Sequence, residues 1–280
     1  MTADQRVWLI TGASSGFGRS IAEAALAAGD IVVAAARRPE AMADLVASAP
    51  DRVTALKLDV TDASGVQAAV DEVLDRHNWV DVLVNNAGRG VIGAVEETTD
   101  DELRDLMDLH FFGPAALTRA VLPHMRERGS GAIVQMSSMG GRFTFPGAGA
   151  YSATKFALEG WSEALAKEVD QFGIRVLIVE PGAFRTSFNG PGALQIAKPI
   201  AAYDELIGPV RSSMADDHGA QPGDPAKAAA AILQALDAPE PPLRLALGND
   251  AVDSIADTLA GAKAELAAWE RVGRATTFGD

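Results

Sequence analysis

Seven short, mostly apolar runs, at residues 7–10, 31–36, 53–58, 81–84, 132–136, 175–179 and 243–247, are separated by segments of helical pattern. This alternation constrains the fold more than any other feature of the chain. A strand that is apolar along its whole length must be covered on both faces, and a helix after each strand supplies the cover. The architecture expected is α/β, a doubly wound parallel sheet with helices on both faces. The 280 residues allow one large domain with a substantial core, and no linker or solenoid-length repeat interrupts them. Residues 1–280 are therefore read as a single domain. The rhythm stops at residues 187–223, rich in Gly, Pro and Ala, with a short helix expected between 201 and 214. A connection of that length is more often functional than idle, and it is read as a substrate-binding lid. Residues 249–280 are expected to form a C-terminal amphipathic helix, carrying Ile255, Leu259, Leu266 and Trp269, followed by a loose tail.

The first strand runs straight into Thr11-Gly12-Ala13-Ser14-Ser15-Gly16-Phe17-Gly18, and a helix follows that Gly29 ends. Strand, glycine-rich turn and helix together deliver backbone N–H groups and a helix N-terminus to a phosphate. Glycine is needed because a side chain would hold the phosphates away. Taken alone, the run is equally a plain glycine-rich turn. The second strand ends at Ala36, and Arg37-Arg38 follow. In a nucleotide-binding unit this is where the adenosine ribose is read, by a carboxylate for a 2′-hydroxyl or by arginine for a 2′-phosphate. Here there is no carboxylate and there are two guanidiniums. At the carboxyl ends of later strands stand Asp59-Val60, Asn85-Asn86-Ala87-Gly88, Ser137-Ser138 and Pro181-Gly182 with Thr186. In an open parallel sheet those ends form the ligand crevice.

Residues 150–171 read as one helix, with Ala153, Phe156, Leu158, Trp161, Leu165 and Val169 as an apolar stripe. Tyr151 and Lys155 lie four apart, one turn along the same face. An ammonium beside a phenol favours the phenolate and would draw its pKa down from about 10. A tyrosine so tuned can give a proton to a carbonyl oxygen or take one from a hydroxyl. A helix between 100 and 128 contains His110, Gly113 and Pro114, and the proline is expected to kink or restart it.

Composition removes several alternatives. There is no cysteine, so disulfides, thiolate metal sites and cysteine nucleophiles are excluded. The four histidines, His77, His110, His124 and His218, include no pair at metal-ligand spacing, and no catalytic metal is expected. A formal net charge of −14 argues against nucleic acid and anionic membranes as partners. The N-terminal residues show no export signal, so a cytoplasmic location is expected.

The motifs Thr11-Gly12-x-x-x-Gly16-x-Gly18, Asp59, Asn85-Asn86-Ala87-Gly88, Ser138, Tyr151-x-x-x-Lys155 and Pro181-Gly182 with Thr186 follow one another at family order and spacing. Together they make the chain resemble the short-chain dehydrogenases/reductases over nearly its whole length, to about residue 247. The resemblance implies a Rossmann-type sheet of about seven strands, in the order 3-2-1-4-5-6-7. It also implies a nicotinamide cofactor and hydride transfer between the cofactor and a carbonyl or alcohol carbon. In that reading Tyr151 is the acid/base, Lys155 tunes it and holds the nicotinamide ribose, and Ser138 holds the substrate oxygen. The cofactor would be held by Gly12, Ser14, Ser15, Gly16, Phe17 and Gly18 at the pyrophosphate and by Asp59 and Val60 at the adenine. Arg37 and Arg38 would take a 2′-phosphate, making it NADP(H). Asn86, Ala87 and Gly88 would line the adenosine side, and Pro181, Gly182 and Thr186 would cover the nicotinamide.

One position departs from the family pattern. Where Asn-x-x-Gly is usual, this chain has His110-Phe-Phe-Gly113. The asparagine is thought to hold a water that relays protons from the lysine. Neutral imidazole can also accept and donate, so His110 is a candidate for the same work, the other reading being a histidine satisfied by backbone. Phe143, Phe145, Phe184, Phe188, Tyr203 and Met214 fall in segments expected to flank the site. With the C-terminal segment they resemble the subset acting on hydroxysteroids, retinoids and other large alcohols, which suits a bulky apolar substrate. The expected partners are a small carbonyl or alcohol substrate and further copies of the chain, as a homodimer or homotetramer. Two other readings stay open: an NADP(H)-sensing regulatory protein on the same fold, and an epimerase or dehydratase of the same family.

Overall fold

The computed structural model of the chain describes residues 5–190, 192–216 and 219–278. Part of the 187–223 segment, Pro191, Asp217 and His218, lies outside the described residues, as do 1–4 and 279–280. The first half runs β1 (Val7–Thr11), α1 (Gly16–Ala27), β2 (Ile31–Ala36), α2 (Ala43–Ser48), β3 (Val53–Lys57), α3 (Ala63–His77), β4 (Val82–Asn85) and β5 (Gly90–Ile92). It continues α4 (Asp100–Met107), α5 (Gly113–Arg128), β6 (Gly131–Met136), α6 (Gly149–Val169) and β7 (Ile174–Pro181). The last part is β8 (Leu194–Ile196), α7 (Asp204–Asp216), α8 (Pro225–Asp237), β9 (Arg244–Leu247) and α9 (Asn249–Arg274).

Seven strands form one parallel sheet in the order β3-β2-β1-β4-β6-β7-β9. Counting that sheet's own strands, this is the order 3-2-1-4-5-6-7. Consecutive residues of each strand feed opposite layers. Trp8 and Ile10 join α1 and α8 in one core, while Val7 and Leu9 join α3, α5 and the far end of α6 in the other. Both faces are thus covered, which is why the inner strands β2, β1 and β4 are buried along their whole length. The chain crosses from the β2–β3 side to β4 at the sheet centre, and this leaves a crevice beyond the carboxyl ends of β1 and β4. A second, two-stranded parallel sheet, β5 with β8, stands outside the first. Its strands of three residues are too short to be read from pattern.

Two helices differ from expectation, each for a local reason. The 100–128 helix opens into a wider, π-type turn at Asp108–Phe112 before α5 begins. Pro114 has no N–H for the carbonyl of His110, and its ring crowds that carbonyl, so the turn before it widens. In α6 the apolar stripe is only partly the buried face. Ala153 and Phe156 are exposed, whereas Ser152, Thr154, Lys155, Leu158, Glu159 and Ser162 are buried. The helix turns a polar face inward because that face meets the crevice. Among the described residues no helix is long and apolar enough to cross a membrane.

Candidate active site

The glycine turn between β1 and α1 is clasped from the β4 side. Thr11 Oγ1 donates to the Val84 carbonyl (3.2 Å) and accepts from the N–H groups of Asn86 (2.9 Å) and Ala87 (3.1 Å). The Asn86 side chain donates to the carbonyls of Thr11 (2.9 Å) and Gly12 (3.3 Å). Gly12 sits at φ +65°, which a side chain rarely adopts. A Cβ on Gly18 would lie 2.5 Å from both the Gly12 carbonyl oxygen and the Asn86 amide nitrogen. The close approach leaves the start of α1, capped by Ser15 without a side-chain hydrogen bond, open to the crevice. Thr11 and Asn86 therefore hold the turn rather than face a ligand alone. Thr11 stood in the motif, but its β4 partners are more than 70 residues away and gave no sequence signal.

A cavity of about 920 Å³ extends from this turn to α6. Along its nucleotide side lie Gly12, Ser14, Ser15, Gly16, Phe17, Arg37, Arg38, Asp59, Val60, Asn86, Ala87 and Gly88. At its other end are Ser138, Tyr151, Lys155, Pro181, Gly182 and Thr186. Gly18 is not in the wall; it is the packing glycine beneath it. Arg37 and Arg38 are exposed, and among the described residues neither forms an ion pair. Asp59 accepts from the Thr61 N–H (3.0 Å) and hydroxyl (2.8 Å), closing its turn. The segment 181–183 is fastened by Asp250 at the start of α9, whose carboxylate accepts from the Ala183 N–H at 2.7 Å. Nothing in the sequence linked those two places.

Ser138 Oγ accepts from the Gly140 N–H (3.0 Å), and both it and the Tyr151 ring lie against Gly140. Lys155, 6% exposed, donates from Nζ to the Met136 carbonyl at 2.8 Å. Its ammonium is 5.7 Å from the Tyr151 ring centroid. The sequence reading had the lysine drawing the tyrosine pKa down. Burial instead pushes the phenol up to about 12, against a smaller lowering effect of the neighbouring Ser138 hydroxyl. The same burial pushes Lys155 down to about 8, with Glu159 opposing. Dry surroundings disfavour both charged forms, and at 5.7 Å with its ammonium given to a carbonyl the lysine does not outweigh them.

Glu159, one turn beyond Lys155, belongs to a cluster that the sequence reading missed. Arg244 on β9 reaches Glu159 (3.1 Å), Glu163 (2.9 Å) and Glu180 (3.4 Å), and Arg142 reaches Glu180 (2.8 Å). Burial raises the Glu159 pKa. The cluster ties α6 to β7 and β9 behind the lysine.

His110 lies in the widened turn, fully buried, with its ring edge-on to Tyr151 at 5.6 Å. Its Nε2 must accept, because the Arg89 N–H points to it at 3.1 Å. The proton is then on Nδ1, which donates to Thr154 Oγ1 at 2.9 Å, and that hydroxyl donates to the Tyr151 carbonyl at 2.8 Å. Desolvation first, then Lys155 and Arg89, hold His110 well below its ordinary pKa. It is neutral, as expected, but both ring nitrogens are engaged with protein. The geometry corresponds to the satisfied histidine, bracing α6 under Tyr151.

Of the apolar and aromatic residues expected near the site, Phe145, Phe184, Phe188 and Met214 line the cavity, joined by Val91, Ile92 and Leu194. Phe143 and Tyr203 are not among its walls. The Tyr203 hydroxyl donates to Glu96 at 2.6 Å, and its ring packs on Ile92, Ala94 and Ile207.

Comparison with known proteins shows the family to which the chain belongs. The family model described as short chain dehydrogenase matches residues 6–195. Oxidoreductase BOA17 of Botryotinia fuckeliana (strain B05.10) is 40% identical over 249 residues, 89% of this chain and 90% of that protein. The crystal structure of a short-chain dehydrogenase from Streptomyces avermitilis is 60% identical, with a TM-score of 0.94 over 98% of this chain and 100% of that one. A metagenomic short-chain oxidoreductase solved in complex with NADP is 32% identical, with a TM-score of 0.61 over 64% of this chain and 83% of the other.

Proposed function

The chain belongs to the short-chain dehydrogenase family, an oxidoreductase family with a nicotinamide cofactor, and from that premise we propose that it interconverts a carbonyl and a secondary alcohol with NADP(H), on a bulky apolar substrate. The observation that carries the reading is the meeting of Ser138, Tyr151 and Lys155 at one end of a cleft whose other end is the glycine turn. The cofactor fits that turn: the close packing at Gly12 and Gly18 sets Ser14 to Phe17 and the start of α1 in the cavity wall, where a helix N-terminus would meet phosphates. When bound, the cofactor would supply or accept the hydride. Ser14 to Phe17 would hold its pyrophosphate, and Asp59, Val60 and residues 86–88 its adenosine side. Arg37 and Arg38 would meet a 2′-phosphate, with no carboxylate at Ala36 to oppose it.

On this reading Ser138 would hold the substrate oxygen beside the Tyr151 hydroxyl, and Tyr151 would give that oxygen its proton. Lys155 keeps two N–H donors beyond the one spent on Met136, enough to hold the nicotinamide ribose. The apolar walls favour a bulky apolar substrate, and residues 187–223 would form the substrate-side cover. The retained Ser138, Tyr151 and Lys155 favour an enzyme over a sensor, which could dispense with them.

The test is loss of NADPH absorbance against a panel of aldehydes, ketones and diketones. Turnover is expected with at least one large ketone. Tyr151→Phe is expected to abolish it while cofactor still binds, because only the transferable proton is lost. Substantial activity in Tyr151→Phe would remove Tyr151 from the acid role.

A further inference from the structure

The last helix leaves the body of the protein. Ala251 and Ile255 are buried, but every residue from 259 to 278 is exposed. The helical part of that stretch, 259–274, is about 24 Å long at 1.5 Å per residue. A helix of this kind in water would ordinarily be polar all round. This one is not: Leu259 is 53% exposed, Leu266 72% and Trp269 65%. With Val252, Ile255 and Ala262 they repeat at steps of three and four, the a and d positions of a heptad. The stripe starts against the body at Ile255 and continues into solvent without a partner among the described residues.

The charges beside the stripe say what can cover it. Lys263 and Glu270 flank it on one side and Glu265 on the other. A parallel second copy would set Glu265 against Glu270 of its mate, which is repulsive. An antiparallel copy with Leu259 opposite Trp269 would bring Lys263 against Lys263 and Glu265 against Glu265. Moved by one heptad, so that Leu266 of each copy faces Trp269 of the other, the antiparallel pair sets Lys263 of each against Glu270 of the other. One oxygen of Glu270 takes Arg274 within its own helix at 2.8 Å, leaving the second for the partner. This register also overlaps only the projecting turns and keeps the two bodies at opposite ends. It makes the two-fold, self-complementary contact of a closed dimer.

We propose that the projecting half of α9 is a dimerisation arm, pairing antiparallel with the same segment of a second copy, Leu266 against Trp269 and Lys263 against Glu270. Sedimentation of the 280-residue chain from low to high micromolar concentration tests this. The wild type is expected to form an assembly whose mass halves in Leu266→Gln/Trp269→Gln, two substitutions that keep good helix formers. Lys263→Glu and Glu270→Lys are each expected to weaken assembly by about tenfold, and the two together in one chain to restore it. Mixing the two single variants should give heterodimers, since each supplies what the other lacks. Thermal midpoint and turnover of subunits serve as the check that the body is intact, because the arm touches none of it. A wild type whose mass equals that of the double glutamine variant at every concentration overturns the proposal. So does a charge-swapped double variant that assembles no better than the single ones.

Discussion

Tyr151 and Lys155 are driven in opposite directions by one cause, the exclusion of water from the inner end of the cleft. The phenol stands at about 12 and the ammonium at about 8. On the proposed reading the phenol proton is therefore present across the working range, and the lysine charge is the quantity that pH removes. Reductive turnover is expected to be flat below neutrality and to fall by about tenfold per unit as pH rises past about 8. The sign for stability is the reverse. Lys155 has a folded value below its ordinary 10.5, so the unfolded chain binds more protons between about 8 and 10.5, and this group's effect on stability becomes more favourable as pH rises through that window. A pH profile of turnover beside one of the unfolding midpoint separates the two, and parallel profiles would contradict this assignment. His110 carries a different expectation. His110→Ala leaves the Arg89 N–H without its acceptor, which costs on the order of 1–3 kcal/mol. The thermal midpoint should drop while the alkaline limb of the turnover profile keeps its position. A moved limb would return His110 to the proton path.

At the scale of elements, the 187–223 segment is the part whose behaviour its composition least describes. Its Gly and Pro content suggests looseness, yet it is fastened at several places. β8 pairs with β5, and Gln195 donates to Glu102 at 2.7 Å. Glu97 is buried and accepts from the N–H groups of Ala94 (2.6 Å) and Ile200 (2.8 Å) and from Arg211 on α7. Arg211 foremost, then those backbone donors, hold the Glu97 carboxyl down to about 2. A depressed carboxylate contributes above its unfolded value of 4.5 and is lost as pH falls from there towards about 2. Glu97→Gln leaves the Arg211 guanidinium poorly paired, and limited proteolysis within 187–223 should then run roughly tenfold faster. If this segment moves in turnover, NADPH with substrate should slow the cut in both proteins. Equal cleavage of wild type and variant would show that the anchor lies elsewhere.

For the whole molecule, the useful property is that a cofactor binding only the folded state raises the stability of all of it. A ligand at a thousand times its Kd adds about 4 kcal/mol. NADP⁺ is thus expected to raise the unfolding temperature more than NAD⁺ at equal concentration. Ala36→Asp with Arg37→Ala should invert that order by removing a phosphate partner and adding a ribose one. An order unchanged by the two substitutions would remove Arg37 from the 2′-phosphate site.

The chain carries in its own pattern the features that depend on near neighbours. Apolar runs 7–10 and 31–36 declare doubly covered strands, Gly12 and Gly18 declare a close backbone approach, and Tyr151 and Lys155 fall one turn apart on any helix. A backbone feels its neighbours within a turn or two, so such features survive without knowledge of the fold. What tertiary structure alone decided are the partners and the dryness. His110 was assigned its role by Arg89, 21 residues away, and Thr154, 44 away. Phe156 was left in solvent and Glu159 buried on the same helix, against their ordinary preferences, by where β7, β9 and the crevice lie. The apolar stripe of α9 reads alike whether it is packed or projecting, and only the place where the body ends leaves Leu266 and Trp269 uncovered. Burial sums over segments distant in sequence, and protonation follows burial, so neither can be read from a local pattern.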